Sequence, residues 1–210
     1  MISHNYYRFE TKTEDVSMLK GSTNSYFIRD RDMVLLAYCL VKGKCITHPT
    51  IFRSTPEAEQ PWFRMEAERK VLNRTYYLFD HSDVKPFATI TQKGRGLWRV
   101  LDDSDRERCV FVDSSTSGEK AADIILGGSP DRYAVTTGDR IWARIRMEPR
   151  PEEKPTSHDQ GFLKRILKRI TRRSEWVLAL EPETTGLDHR TLLAGMILLI
   201  EHTIAGHRSD

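Results

Sequence analysis

The sequence predicts a mostly β protein, an antiparallel barrel of about twelve strands enclosing a hydrophobic C-terminal helix. Two observations carry that expectation. The segment "LDHRTLLAGMILLIEHTIA", Leu187 to Ala205, is apolar on every side, in a chain that is 30% charged and 39% hydrophobic. A helix apolar all round must be buried all round, so something has to enclose it. Upstream of it lie about a dozen short runs of β character, closely spaced and punctuated by turn residues. The 210 residues suffice for one domain, 1–210, that buries about 70% of its unfolded surface.

The strands follow in order. "NYYRFETK", "SYFIRD", "MVLLAYCLV" and "CITHPTIFR" come first. "WFRMEAE" alternates, with Phe63, Met65 and Ala67 opposite Arg64, Glu66 and Glu68. "RTYYLFD", "PFATITQ", "LWRVLD", "RCVFVD" and "RYAVTT" continue the series. "RIWARIRMEP" places Arg140, Trp142, Arg144 and Arg146 on one face and Ile141, Ala143, Ile145 and Met147 on the other. "EWVLALE" closes the set. "RDRD", "KGRG", "DDSD", "GGSPD" and "TGD" read as turns between them. A barrel of this strand number has room for more than side chains, and a central helix is one way to fill it.

That helix is expected at about 188–205, with Asp188 as its N-cap. Its uncharged run, Thr191 to Ile200, is ten residues long. At about 1.5 Å per residue this reaches only about half of a hydrocarbon core, so no transmembrane span is expected.

One segment departs from the plain barrel, at about 149–174. A Pro-rich linker with Pro149, Pro151 and Pro155 leads into "FLKRILKRITRRS". Phe162, Leu163, Ile166, Leu167 and Ile170 fall on one helical face; Lys164, Arg165, Lys168, Arg169, Arg172 and Arg173 take the other. A basic amphipathic helix of this kind can lie on anionic membrane lipid, bind a protein partner's groove or bind nucleic-acid phosphates. It can equally cap a barrel mouth with its apolar face, and a strand pair is a further alternative.

The run "VLNRTYYLFD…KPFATITQKGRGLWRVLDDSD", Val71 to Asp105, together with the apolar terminal helix, resembles the tubby C-terminal-like superfamily, especially its phospholipid scramblase-like and LURP-one-related branches. The resemblance implies a twelve-stranded barrel around a hydrophobic C-terminal helix. It also implies a binding or lipid-handling role. The tubby branch binds phosphoinositides through a Lys-x-Arg pair on the strand before the glycine turn. The matching positions here are Thr89 and Thr91, neither of them cationic. Lys93 and Arg95, in the turn itself, are the candidate replacements. The scramblase branch carries an acidic calcium-binding segment before its helix. In the matching "LEPETTGLD", Glu181, Glu183 and Asp188 are too few for a hard cation that wants six or more oxygens.

No enzyme motif emerges from the pattern. Cys39, Cys45 and Cys109 are odd in number and lack a CxxC spacing, which favours a reducing, cytoplasmic setting. His4, His48, His81, His158, His189, His202 and His207 show no HxH or HExxH spacing, and no GxSxG elbow or P-loop occurs. Arg140, Arg144 and Arg146 form a candidate anion patch beside Trp142, or simply a solvated strand face. A net charge of +3 does not demand a nucleic-acid partner. The expectation is a non-catalytic binding or scaffold module without cofactors or metal. It would be cytoplasmic, with a peripheral place at an anionic membrane through Phe162 to Arg173. The alternatives are a phospholipid-handling protein and an enzyme whose site the pattern does not show.

Overall fold

The computed structural model describes residues 5–14, 23–42, 48–68, 74–93, 97–114, 133–149, 174–182 and 186–207. The described strands are β1 (Tyr6–Glu14), β2 (Thr23–Arg29), β3 (Leu35–Lys42), β4 (Thr50–Arg53), β5 (Phe63–Glu68), β6 (Thr75–Asp80), β7 (Ala88–Gln92), β8 (Trp98–Asp102), β9 (Glu107–Asp113), β10 (Tyr133–Thr137), β11 (Arg140–Pro149) and β12 (Ser174–Leu180). The helix α1 spans His189–His207. Each of the twelve runs expected from the sequence overlaps one strand.

Every strand pairs antiparallel with its sequence neighbour, and β1 returns to pair with β12, so the sheet is a closed barrel. Closure removes the exposed edge that an open sheet would present. At the seam Tyr6 faces Ala179 and Phe9 faces Trp176. Register follows from alternation, because a one-residue slip would carry every apolar side chain to the outside. On β5, Phe63 and Met65 point inward and are buried, with Arg64 and Glu66 on the outer face. On β11, Ala143 and Ile145 are buried and Arg144 is exposed.

Such a meander alternates its connections between two ends. One end carries the links β2–β3, β4–β5, β6–β7, β8–β9 and β10–β11, and the chain enters α1 there; we call it the proximal mouth. Its turns are made by short polar side chains. Asp30 accepts the amides of Asp32 and Val34 at 2.9 and 2.8 Å. Asp102 does the same for Ser104 and Arg106 at 2.9 and 3.0 Å. Gly138, at φ 55°, makes the tight β10–β11 turn without a Cβ penalty.

Asp188 caps the helix as expected. Its carboxylate accepts the Arg190 amide at 2.9 Å, and its carbonyl accepts the Thr191 amide and hydroxyl at 3.1 and 2.7 Å. The helix runs on to His207, slightly past the expected end. Leu192 to Ile200 belong to one apolar cluster with the inward strand residues. Contacts reach α1 from opposite walls. Glu201 bonds to Asn24 and Tyr26 on β2, and the neighbouring His202 packs edge-on against Trp98 on β8, with ring centroids 6.1 Å apart. In a ring of twelve, β2 and β8 lie six positions apart, on opposite sides. The helix therefore passes through the barrel's interior. Gly195 allows the close passage: a Cβ there would lie 2.3 Å from Cζ of Phe111 on β9.

Candidate functional site

With its middle packed in apolar side chains, the barrel confines polar chemistry to the two mouths and the outer wall. At the proximal mouth Tyr7, 1% exposed, shares a hydrogen bond with Nδ1 of His189. Arg190 bonds to Asp188 and to Asp80 at the end of β6. Its guanidinium also lies 3.9 Å from the Phe87 ring centroid. Hydrogen bonding to Asp188 raises the Arg190 pKa above its ordinary value despite burial. A cation in the first helical turn opposes the helix dipole; here two carboxylates outweigh that and pin the helix to the wall.

At the opposite, distal mouth the polar groups are Asn24, Tyr26, Glu201 and His202. Asn24 Nδ2 donates to Glu201 Oε1 at 2.7 Å, and the Tyr26 hydroxyl donates to the same oxygen. Asn24 is 3% exposed and Tyr26 fully buried.

The outer wall holds a charge network over the closure seam. Arg8, 6% exposed, reaches Glu148 on β11 at 3.0 Å and Glu175 on β12 at 3.3 Å. The Tyr6 hydroxyl donates to Glu148 at 2.8 Å, and Arg146 Nε to the same carboxylate at 2.8 Å. Burial, helped by the bond to Glu148, pushes the Tyr6 phenol up to about 12. Burial also works to raise the Glu148 carboxyl, but the Tyr6 hydroxyl, Arg146 and Arg8 outweigh it and hold the group below its ordinary value. One strand from each side of the seam and the next strand beyond are thus clamped from outside.

The residues singled out from sequence fall as follows. Arg140 stacks over Trp142 at 4.3 Å, Arg144 pairs with Glu181 at 3.0 Å, and Arg146 pairs with Glu148. This outer face of β11 is a row of partnered arginines. Lys93 is exposed at the end of β7, on the distal side, and its amide bonds to the Leu97 carbonyl at 2.8 Å. Thr89 and Thr91 are half-buried on the outward face of β7. Arg95, Glu183, and Phe162, Lys164, Arg165, Lys168, Arg169, Arg172 and Arg173 lie outside the described residues.

Among the described residues, no group of three His, Cys, Asp or Glu could hold a metal ion. Cys39 and Cys109 are both buried in the core. Burial pushes Cys109 up to about 12, so it is no thiolate nucleophile at neutral pH. No described helix is long and apolar enough to cross a membrane.

Sequence reasoning missed Asn24, Glu201 and the Arg8 network. Counting back by two from the inward Tyr26 places Asn24 inside, and that was the available signal. Nothing local tells that residues 177 positions apart, Asn24 and Glu201, would meet. Comparison with protein-family models, with curated proteins and with solved structures finds no match for this chain.

Proposed function

We propose that this chain is a non-catalytic binding or scaffold module of the tubby-like, LURP-one-related kind, held peripherally at an anionic membrane surface in a cytoplasmic setting. The observation that carries the reading is the occupied interior. Leu192 to Ile200 share the core with the inward faces of the strands, so a partner is left the mouths and the outer wall. Topology adds support. The β11–β12 connection, whose sequence includes Phe162 to Arg173, departs from the distal mouth. The β7–β8 connection with Lys93 and Arg95 departs from the same mouth. Both connections that carry basic sequence thus leave the strands at one rim. Near an anionic surface each Lys or Arg contributes about 1 kcal/mol, within a Debye length of about 8–10 Å.

Cosedimentation with vesicles, with and without anionic lipid, tests this. Wild type should bind the anionic vesicles and release them as salt rises. Lys168→Glu with Arg169→Glu should abolish binding while the melting curve stays unchanged. Absence of wild-type binding at low salt would refute the membrane role. A loss of stability in Leu163→Ser with Ile166→Ser would then assign the segment to a structural lid.

A further inference from the structure

We infer that the distal mouth contains a site for a primary ammonium group, held between the Asn24 amide oxygen and the Glu201 carboxylate. The starting point is an orphan acceptor. Asn24 is 3% exposed, yet its Oδ1 is buried and has no hydrogen-bond partner among the described residues. Buried polar groups are nearly always satisfied, so each exception asks for an explanation. Flipping the amide does not remove it. Nδ2 donates to Glu201 Oε1 at 2.7 Å, and a flip would set the amide oxygen against a carboxylate. The missing group is therefore a hydrogen-bond donor beside Glu201.

Charge selects the kind of donor. Glu201 accepts from two neutral groups, Asn24 and Tyr26, and among the described residues no cation pairs with it. The helix continues to His207, so its negative dipole end faces this same mouth. A neutral water could satisfy Asn24 but would leave that negative potential unanswered. A divalent metal is a poor fit: a hard ion wants six or more oxygens, and among the described residues no group of three His, Cys, Asp or Glu could hold a metal. An ammonium carries one positive charge and three donors, enough for both the amide oxygen and the carboxylate.

Thermal melting at pH 8 tests it with ethylammonium chloride against tetramethylammonium chloride at equal ionic strength. The first has N–H donors; the second has the charge alone. Ethylammonium should raise the melting temperature saturably, by about 3–6 °C at ten times its Kd. Tetramethylammonium should not. Asn24→Leu and Glu201→Gln should each lose the response. Should either variant fail to fold, the wild-type pair of salts still decides. Equal responses to both salts, or no saturable response to ethylammonium, would overturn the site and leave an ordered water at Asn24 Oδ1. Vesicles with ethanolamine or choline headgroups separate two sources of the same chemistry. A shift with ethanolamine headgroups alone marks a lipid-borne ammonium. A shift with soluble amine and neither vesicle marks a free one.

Discussion

Gly195 offers the sharpest test of the helix inside the barrel. In the interior of a helix, glycine is about 1 kcal/mol worse than alanine, so Gly195→Ala on a free helix surface would stabilise the protein. Here the added methyl meets Phe111. An ideal Cβ would lie 2.3 Å from Cζ and 2.5 Å from Cε2 of that ring. Carbon atoms pack comfortably at about 3.5–4.0 Å, so something must move by more than an ångström. Phe111 is fully buried and has little room to do so. Overpacking a dense core costs about 1–3 kcal/mol, and so severe a contact belongs in the upper half of that range. Offsetting the helical gain leaves a net loss of about 1–2 kcal/mol, or roughly 2–8 °C in melting temperature for a chain of this size. Thermal and urea denaturation would read it. Phe111→Leu supplies the second edge of a double-mutant cycle. In that background Gly195→Ala should be neutral or stabilising, because the ring that meets the methyl is gone. Stabilisation of the wild type by Gly195→Ala would refute the close passage of α1 against β9.

Three further outcomes follow from the same packing. Leu198, 2% exposed, should cost about 2–5 kcal/mol on change to Ala, read by melting; a wild-type melting temperature would mean that the side chain is not in the core. Arg8→Met removes the cation shared by Glu148 and Glu175, and should cost about 3 kcal/mol or more in denaturant unfolding. Tyr6 supplies a pH signature. Its phenol stays protonated to about 12 in the folded protein against an ordinary 10.0, so the unfolded chain binds fewer protons above pH 10. Stability should fall between pH 10 and 12, and Tyr6→Phe should flatten that fall. An unchanged alkaline profile in Tyr6→Phe would show the phenol to be unperturbed.

The strands were readable because alternation is a local property. Phe63, Met65 and Ala67 must share a face whenever their segment is extended, and a wrong register would expose them all. The helix was readable for a similar reason: seven large apolar side chains between Leu192 and Ile200 cover the whole wheel. The mouths were not readable. Glu201 in sequence only ends an apolar run, and its meaning comes from Asn24 and Tyr26 on a strand near the other end of the chain. Arg8 in "YYRFE" is likewise a routine outward residue until β11 and β12 bring Glu148 and Glu175 across the seam. The glycine at 195 reads as a weak point in a helix, and only Phe111 turns it into a requirement. Arg140, Arg144 and Arg146 show the converse. Their charges read either as an anion patch or as a solvated strand face, and the structure sets Arg144 and Arg146 beside carboxylates and Arg140 over an indole.

Closing the barrel and filling it are one physical problem. A barrel of twelve strands is too wide for wall side chains alone to fill, so closure without α1 would leave a large apolar void. The seven large apolar residues of the helix, at about 1.5–3 kcal/mol each, contribute on the order of 10–20 kcal/mol before chain entropy is counted. That is comparable with the whole net stability of an ordinary domain. The polar contacts tie this filling to the seam. Tyr7 on the seam strand β1 holds His189, and β2 next to it holds Glu201. Arg8, on the outer face of the same β1, fastens that strand to Glu175 on β12. These pairs join residues 167 to 182 positions apart, so none can form until the two ends of the chain meet. Contacts of such long range come late and slowly in folding. Neither step is self-sufficient: an undocked helix exposes apolar surface on every side, and an unclosed seam exposes two strand edges. Seam closure and helix docking therefore stabilise each other through β1, and a perturbation at Arg8 and one at Leu198 act on the same cooperative event.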